Sequence, residues 1–206
     1  MKIRISTASP DTLARETLIL GFFSDERPPR GYCGLVDWRL NGMISAEIAG
    51  GRISGDFLEK IAYAFPRRIR ISRLLLFGMG ALIELTYDRL YNAGFEIAKT
   101  ITGIGATDLA LPMPAAGRGS LQLAGMTEAL MTGLFDGRAH EPGGLPPLSL
   151  EIPAMIDHTG DIRVGLEKFL KHTGMAEIEI LDTDEQTSDK TEEFFLHGNQ
   201  VQSSRD

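Results

Sequence analysis

Two short, uninterrupted apolar runs, Leu18-Ile19-Leu20-Gly21-Phe22-Phe23 and Leu74-Leu75-Leu76-Phe77, constrain this chain more than any other feature. A strand that is apolar at every position has to be covered on both faces, which is the situation inside parallel sheets flanked by helices. The first run closes on the turn-rich Ser24-Asp25-Glu26-Arg27-Pro28-Pro29-Arg30-Gly31 and the second on Gly78-Met79-Gly80. Each therefore reads as a buried strand followed by a loop.

Between and beyond these strands the apolar period changes. Val36, Leu40, Met43, Ile44 and Ile48 recur at helical spacing and predict one amphipathic helix, ended by Gly50-Gly51. Glu59 to Phe65 predicts a strand stopped by Pro66. Leu90, Gly94, Ile97 and Ile101 share one helical face, and Thr86 as N-cap with Asp88 in the first turn predicts a helix from Tyr87 to Thr102, with Gly103 and Gly105 at its end. Thr107 to Leu111 reads as a short strand and Pro112 to Gly119 as a loop. A helix from Ser120 follows, aligning Leu123, Thr127, Leu130 and Leu134 and closing at Gly137. His140 to Pro147 reads as a surface loop, because its prolines lack donors and its glycines cost backbone entropy. Leu148 to Met155 predicts a strand, Asp161 an N-cap for a helix carrying Val164, Leu166, Phe169 and Leu170, and Ala176 to Leu181 a last strand. Alternating strands and helices imply an α/β domain with a mainly parallel sheet covered on both faces.

Composition narrows the partners. A net charge of -7 argues against general nucleic-acid binding, which depends on clustered Lys and Arg releasing counterions. Cys33 is the single cysteine, so no internal disulfide forms, and a reducing compartment is expected. Polar residues from Ser6 to Glu16 interrupt any signal-peptide run, and no stretch approaches the roughly 20 apolar residues needed to cross a bilayer. A cytoplasmic location is expected, with neither a membrane nor a nucleic-acid partner. One domain over residues 1–182 is expected, then an acidic, polar tail over 183–206 that is expected to be mobile, with Phe194-Phe195-Leu196 as a candidate docking spot.

The strings Gly21-Phe22-Phe23-Ser24-Asp25-Glu26-Arg27-Pro28, Gly31-Tyr32-Cys33-Gly34-Leu35-Val36-Asp37-Trp38-Arg39-Leu40-Asn41-Gly42 and Leu74-Leu75-Leu76-Phe77-Gly78-Met79-Gly80 form a pattern. It resembles the amino-terminal domain of the M17 leucyl aminopeptidases, over residues 15–181. The resemblance implies a macro-domain-like, three-layer α/β/α fold with a mainly parallel mixed sheet. It also implies the non-catalytic half of that family. There the peptidase chemistry belongs to a carboxy-terminal domain with two divalent metals and a signature Asn-Thr-Asp-Ala-Glu-Gly-Arg, and this chain is expected to stop where that domain would begin. Leu181-Asp182-Thr183-Asp184-Glu185-Gln186 shares a Thr-Asp pair and a Glu but lacks the alanine spacer, the glycine and the arginine. No catalytic residue, metal ligand or cofactor is therefore carried over.

Several candidate sites remain. Gly78-Met79-Gly80 stands between a strand and a helix, where backbone N–H groups can cradle phosphate in open α/β sheets, but without a GxGxxG or P-loop signature it reads first as a tight turn needing positive φ. Gly117, Arg118 and Ser120 lie in a second loop beyond a strand end, with Arg118 suited to an anionic group. By the resemblance, these six residues would line the cleft where related macro domains hold ADP-ribose. Side chains such as Met79 or Met113 filling that cleft would argue against it. His140, His158, His172 and His197 lack zinc spacing, and Ser45, Ser54 and Ser120 lack a nucleophile elbow. Cys33 reads as a packed thiol and Trp38 as a packing residue, while Arg67, Arg68, Arg70 and Arg73 read as the rim of a turn between strands. The expected function is a stand-alone, non-catalytic interaction or regulatory module that contacts itself or another protein. The alternatives are a domain binding ADP-ribose or a related nucleotide, and an accessory part of a metal-dependent aminopeptidase.

Overall fold

The computed structural model describes residues 1–139 and 147–173 in full and residues 179–182 as backbone. The expected loop His140 to Pro147, apart from its last residue, and the tail over 183–206 lie outside the described residues, as do His140 and His197. The strands are β1 (Lys2–Ser6), β2 (Thr17–Phe22), β3 (Lys60–Ala64), β4 (Arg73–Gly78), β5 (Asp108–Ala110), β6 (Ser149–Pro153) and β7 (Glu179–Asp182). They form one sheet in the order β3-β4-β2-β5-β6-β1-β7. Among the described strands only the β3–β4 pair is antiparallel; the other pairs run parallel.

The apolar runs do what continuous burial requires. Leu18, Leu20 and Phe22 of β2, with Leu74 and Leu76 of β4, face one core. Ile19, Leu75 and Phe77 face the other. The first core is closed by α1 (Gly31–Arg39) and α2 (Met43–Ala49), the second by α3 (Tyr87–Gly103), α4 (Leu123–Ala139) and α5 (Thr159–Thr173). Helices on both faces of a mixed, mainly parallel sheet make the three-layer, macro-domain-like architecture that was expected. Thr86 caps α3, its hydroxyl accepting from the Arg89 N–H at 3.2 Å.

Four expectations are corrected. The helix expected across Val36 to Ile48 is two helices, because Asn41 (φ 63°) and Gly42 (φ 75°) turn the chain through left-handed backbone between α1 and α2. The polar-looking start of the chain is also a strand: β1 pairs with β6 and β7, burying Ile3 and Ile5. Gly137 does not close α4, which runs to Ala139; a Cβ there would lie 2.7 Å from Ala98 Cβ, so this glycine lets α4 approach α3. Asp161 sits in the first turn of α5 instead of capping it, because a 3-10 turn over Ile156–His158 leads directly into that helix.

Arg15, just before β2, ties β5 to β6. Its Nε donates to Glu151 on β6 at 2.7 Å and its Nη1 to Asp108 on β5 at 2.8 Å. The C-terminal ends are left open and carry the loops that build the site.

Candidate functional site

Where β1, β2, β5 and β6 end, segments 7–10, 30–33 and 112–116 surround a cavity of about 370 Å³ with mostly apolar walls. Met113 is 1% exposed and forms part of the wall, as does the buried Cys33. Arg30 and Arg118 supply the positive charge. Helix α1 opens onto this space: Arg30 is its N-cap in extended conformation, and no side chain caps the first turn. That end of a helix carries partial positive charge from its unpaired N–H groups.

Arg118 is the central side chain. Its Nη1 pairs with Glu26 Oε1, and its guanidinium carbon lies 5.3 Å from the centroid of the Phe23 ring. Its Nε is buried without a hydrogen-bond partner. Gly31 makes room for it, since a Cβ there would stand 3.1 Å from Arg118 Nη2 on backbone at φ +59°. Glu26, 8% exposed, uses its other oxygen to accept the Arg30 N–H at 3.3 Å. Thus one buried carboxylate bridges the start of α1 and Arg118. On another side of Arg118 lies a second cavity of about 280 Å³, lined by Asp25, Leu82, Gly119 and Ser120 among others.

The six expected ligand residues separate. Arg118 lines both cavities, Ser120 lines the smaller one, and Gly117 sits under His158, whose Cε1 would be 3.0 Å from a Cβ added at that glycine. Gly78, Met79 and Gly80 line neither cavity. Their N–H groups donate to Glu59 O at 2.8 Å, Phe22 O at 2.8 Å and Gly55 O at 2.9 Å. A Cβ on Gly78 would stand 1.9 Å from Asp56 O, so glycine there serves the close approach of the 55–59 loop. Met79 is buried against Gly21.

The other candidates take structural partners. Burial pushes the Cys33 thiol up to about 12, with Asp37 and Glu26 adding to the shift and Arg118 opposing it. Asp37 caps α2, accepting from Ile44 N–H at 2.7 Å, Ser45 N–H at 3.1 Å and the Ser45 hydroxyl. Ser54 bonds Glu59 at 3.0 Å, and His172 pairs with Glu128 at 2.9 Å. Arg73 pairs with Glu16 and donates to Ile104 O at 3.0 Å. Trp38 is 74% exposed, which corrects its expected packing role: α1 buries Cys33, Val36 and Asp37 and turns Trp38 outward. Among the described residues no group of three His, Cys, Asp or Glu could hold a metal ion, and no helix is long and apolar enough to cross a membrane. Glu26, Arg30 and Tyr32 were not singled out from sequence as site residues, since nothing local signals which turn residues face inward.

Residues 19–138 match the family profile described as cytosol aminopeptidase family, N-terminal domain. Two proteins of Pseudomonas syringae that carry the name cytosol aminopeptidase are each 26% identical. The pathovar tomato protein matches over 55% of this chain and 23% of its own length. The pathovar syringae protein matches over 66% of this chain and 27% of its own. The matched stretch thus spans about a quarter of either relative. A tomato leucine aminopeptidase mutant superposes with TM-score 0.59 at 18% identity, covering 81% of this chain and 35% of that one. The Oceanobacillus iheyensis macrodomain solved with ADP superposes with TM-score 0.61 at 10% identity, covering 82% and 90%. With more than half of its residues matching the family profile, the chain belongs to the cytosol aminopeptidase family as an N-terminal domain, built on a macro-domain-like fold.

Proposed function

We propose that this domain is a non-catalytic binding module whose main cleft takes a nucleoside diphosphate or a related nucleotide such as ADP-ribose. The observation that carries this is that Arg118 and the start of α1, which has no side-chain cap, both line a cavity of about 370 Å³. Helix N-termini at the carboxyl ends of parallel strands are anion sites, and apolar walls with a few convergent polar groups suit the remainder of such a ligand. In support, macrodomains of Oceanobacillus iheyensis and Trypanosoma brucei that share this fold are solved with ADP. The absence of catalysis is supported by a Cys33 thiol held neutral and by Ser45 and Ser54 engaged in helix and loop bonding. The cytosolic name of the relatives supports a cytoplasmic setting.

A thermal-shift titration of the pure chain with ADP, ADP-ribose and manganese tests this. A ligand at about 100 times its Kd stabilises the folded state by about 2.7 kcal/mol. For a chain of this size that is a rise of roughly 5–10 °C. Dose-dependent rises with ADP or ADP-ribose are expected. Silence from both nucleotides, or a rise with manganese alone, refutes the assignment.

A second reading, a protein-interaction face, is favoured by exposed apolar residues beside the cleft: Leu35 at 39%, Trp38 at 74%, Met155 at 55% and Ile156 at 74%. Leu35 and Trp38 are three residues apart on α1, and Leu35 and Met155 border the same cavity. Sedimentation velocity of wild type against Trp38→Arg tests self-association through this face. A concentration-dependent dimer lost in the variant supports it, and a monomer at every concentration removes it.

A further inference from the structure

We propose that Glu26 is an internal competitor for Arg118, so that the anion affinity of the cleft is set by how readily this carboxylate releases the guanidinium. The inference rests on the nucleotide-binding reading above and adds the control of that site.

The two oxygens of Glu26 hold the two groups that a ligand phosphate would use. One pairs with Arg118, and the other accepts the N–H of Arg30, the N-cap of α1. Glu26 itself lines neither cavity, whereas Arg118 lines both. The carboxylate therefore pulls on Arg118 from behind, and a ligand pulls from the front. Arg118 has a donor to spare: its Nε lacks a partner, and although closed off in this conformation it is offered to an acceptor once the guanidinium turns. Its guanidinium stacks on Phe23 and lies against Gly31, so it can turn on the ring face without meeting a side chain at position 31. A guanidinium has five N–H donors in a planar fork, so it can pass from one oxyanion to another by a small rotation.

Two consequences follow. A ligand bearing a single negative charge only exchanges one ion pair for another, while a diphosphate brings enough charge to outcompete Glu26. Removing the Glu26 charge while keeping its shape should also tighten binding, the opposite of what damage to a binding site does. Glu26 is buried and Arg118 half-buried, so the unliganded variant loses some stability, because Arg118 is then left with less compensation.

The experiment is isothermal titration of ADP into wild type, Glu26→Gln, Arg118→Gln and the double variant. Expected are a Kd at least about tenfold lower for Glu26→Gln than for wild type, and a Kd at least about tenfold higher for Arg118→Gln, each tenfold step being about 1.4 kcal/mol. In the Arg118→Gln background the Glu26 substitution should give no gain, since the competition is for that side chain. Glu26→Asp, which withdraws the carboxylate by one methylene, carries the same comparison if the glutamine variant does not fold. Unchanged or weaker ADP binding by Glu26→Gln, with wild type binding, overturns the inference and leaves the cleft assignment standing. A gain that persists without Arg118 overturns it too. Absence of binding in every protein removes both.

Discussion

Helices α3 and α4 touch backbone to backbone, and a single methyl group should separate them. A Cβ on Gly133 would lie 1.9 Å from Tyr91 O and 3.0 Å from Phe95 N, while one on Gly94 would lie 2.2 Å from Leu130 O. On an exposed helix, glycine to alanine gains about 1 kcal/mol of helix propensity. Here the new methyl meets a carbonyl oxygen fixed in a helix. Reaching ordinary contact near 3.4 Å means a retreat of about 1.5 Å, with no flexible side chain to absorb it. Overpacking of this kind costs about 1–3 kcal/mol, and opening the interface forfeits dispersion contacts along its length. Gly133→Ala is therefore expected to lose about 2 kcal/mol net, a fall in Tm of roughly 4–8 °C. Gly160→Ala is the control: it lies in α5, and nothing stands within 4 Å of its added Cβ, so propensity alone acts and stability should rise by up to about 1 kcal/mol. Urea unfolding followed by far-UV circular dichroism reads both as shifts in midpoint at constant slope. Equal or greater stability for Gly133→Ala, or equal losses for the two variants, would refute the packing argument.

Asp37→Ala removes the acceptor of two backbone N–H groups and one hydroxyl at the start of α2, and should lose about 2–3 kcal/mol in the same urea assay. Asp37→Asn keeps an acceptor oxygen and should lose less; equal losses would show that the cap is not the cause. Cys33 should act on alkaline stability: folded, its thiol stays protonated to about 12, whereas unfolded it ionises near its ordinary value of 9.0. The unfolded chain then holds fewer protons as pH rises, so between these limits the folded state loses about 1.4 kcal/mol per pH unit. Cys33→Ala should flatten that decline between about pH 9 and about pH 11 relative to wild type. Tyr32 and Tyr63, also pushed up mainly by burial, contribute the same sign in both proteins, so parallel slopes would contradict the assignment to Cys33.

The strands that carry the sheet were legible because burial on both faces leaves an uninterrupted apolar run, as in Leu74 to Phe77. Thr86 was legible as a cap because capping is local chemistry. Strand β1 was not, since Ile3 and Ile5 alone alternate among charged neighbours and acquire meaning only once β6 and β7 flank them. The break between α1 and α2 was hidden because Met43, Ile44 and Ile48 continue the apolar phase across the left-handed Asn41-Gly42 pair. The site was half-visible. Arg118 could be singled out from its loop, but Glu26, 92 positions away, has no sequence signal joining it to that arginine. Likewise Gly78-Met79-Gly80 looks the same in sequence whether its N–H groups are free or, as here, bonded to Glu59, Phe22 and Gly55.

On this account the cleft between the start of α1 and the 112–118 loop receives a nucleotide. Ala8 is exposed and lines that cavity, so Ala8→Trp should fill it from the lip without disturbing either core. Calorimetric titration of ADP into wild type and Ala8→Trp decides whether it does. Saturable one-site binding by wild type that is abolished in Ala8→Trp is the predicted result, and either no heat with wild type or undiminished affinity in the variant would contradict it.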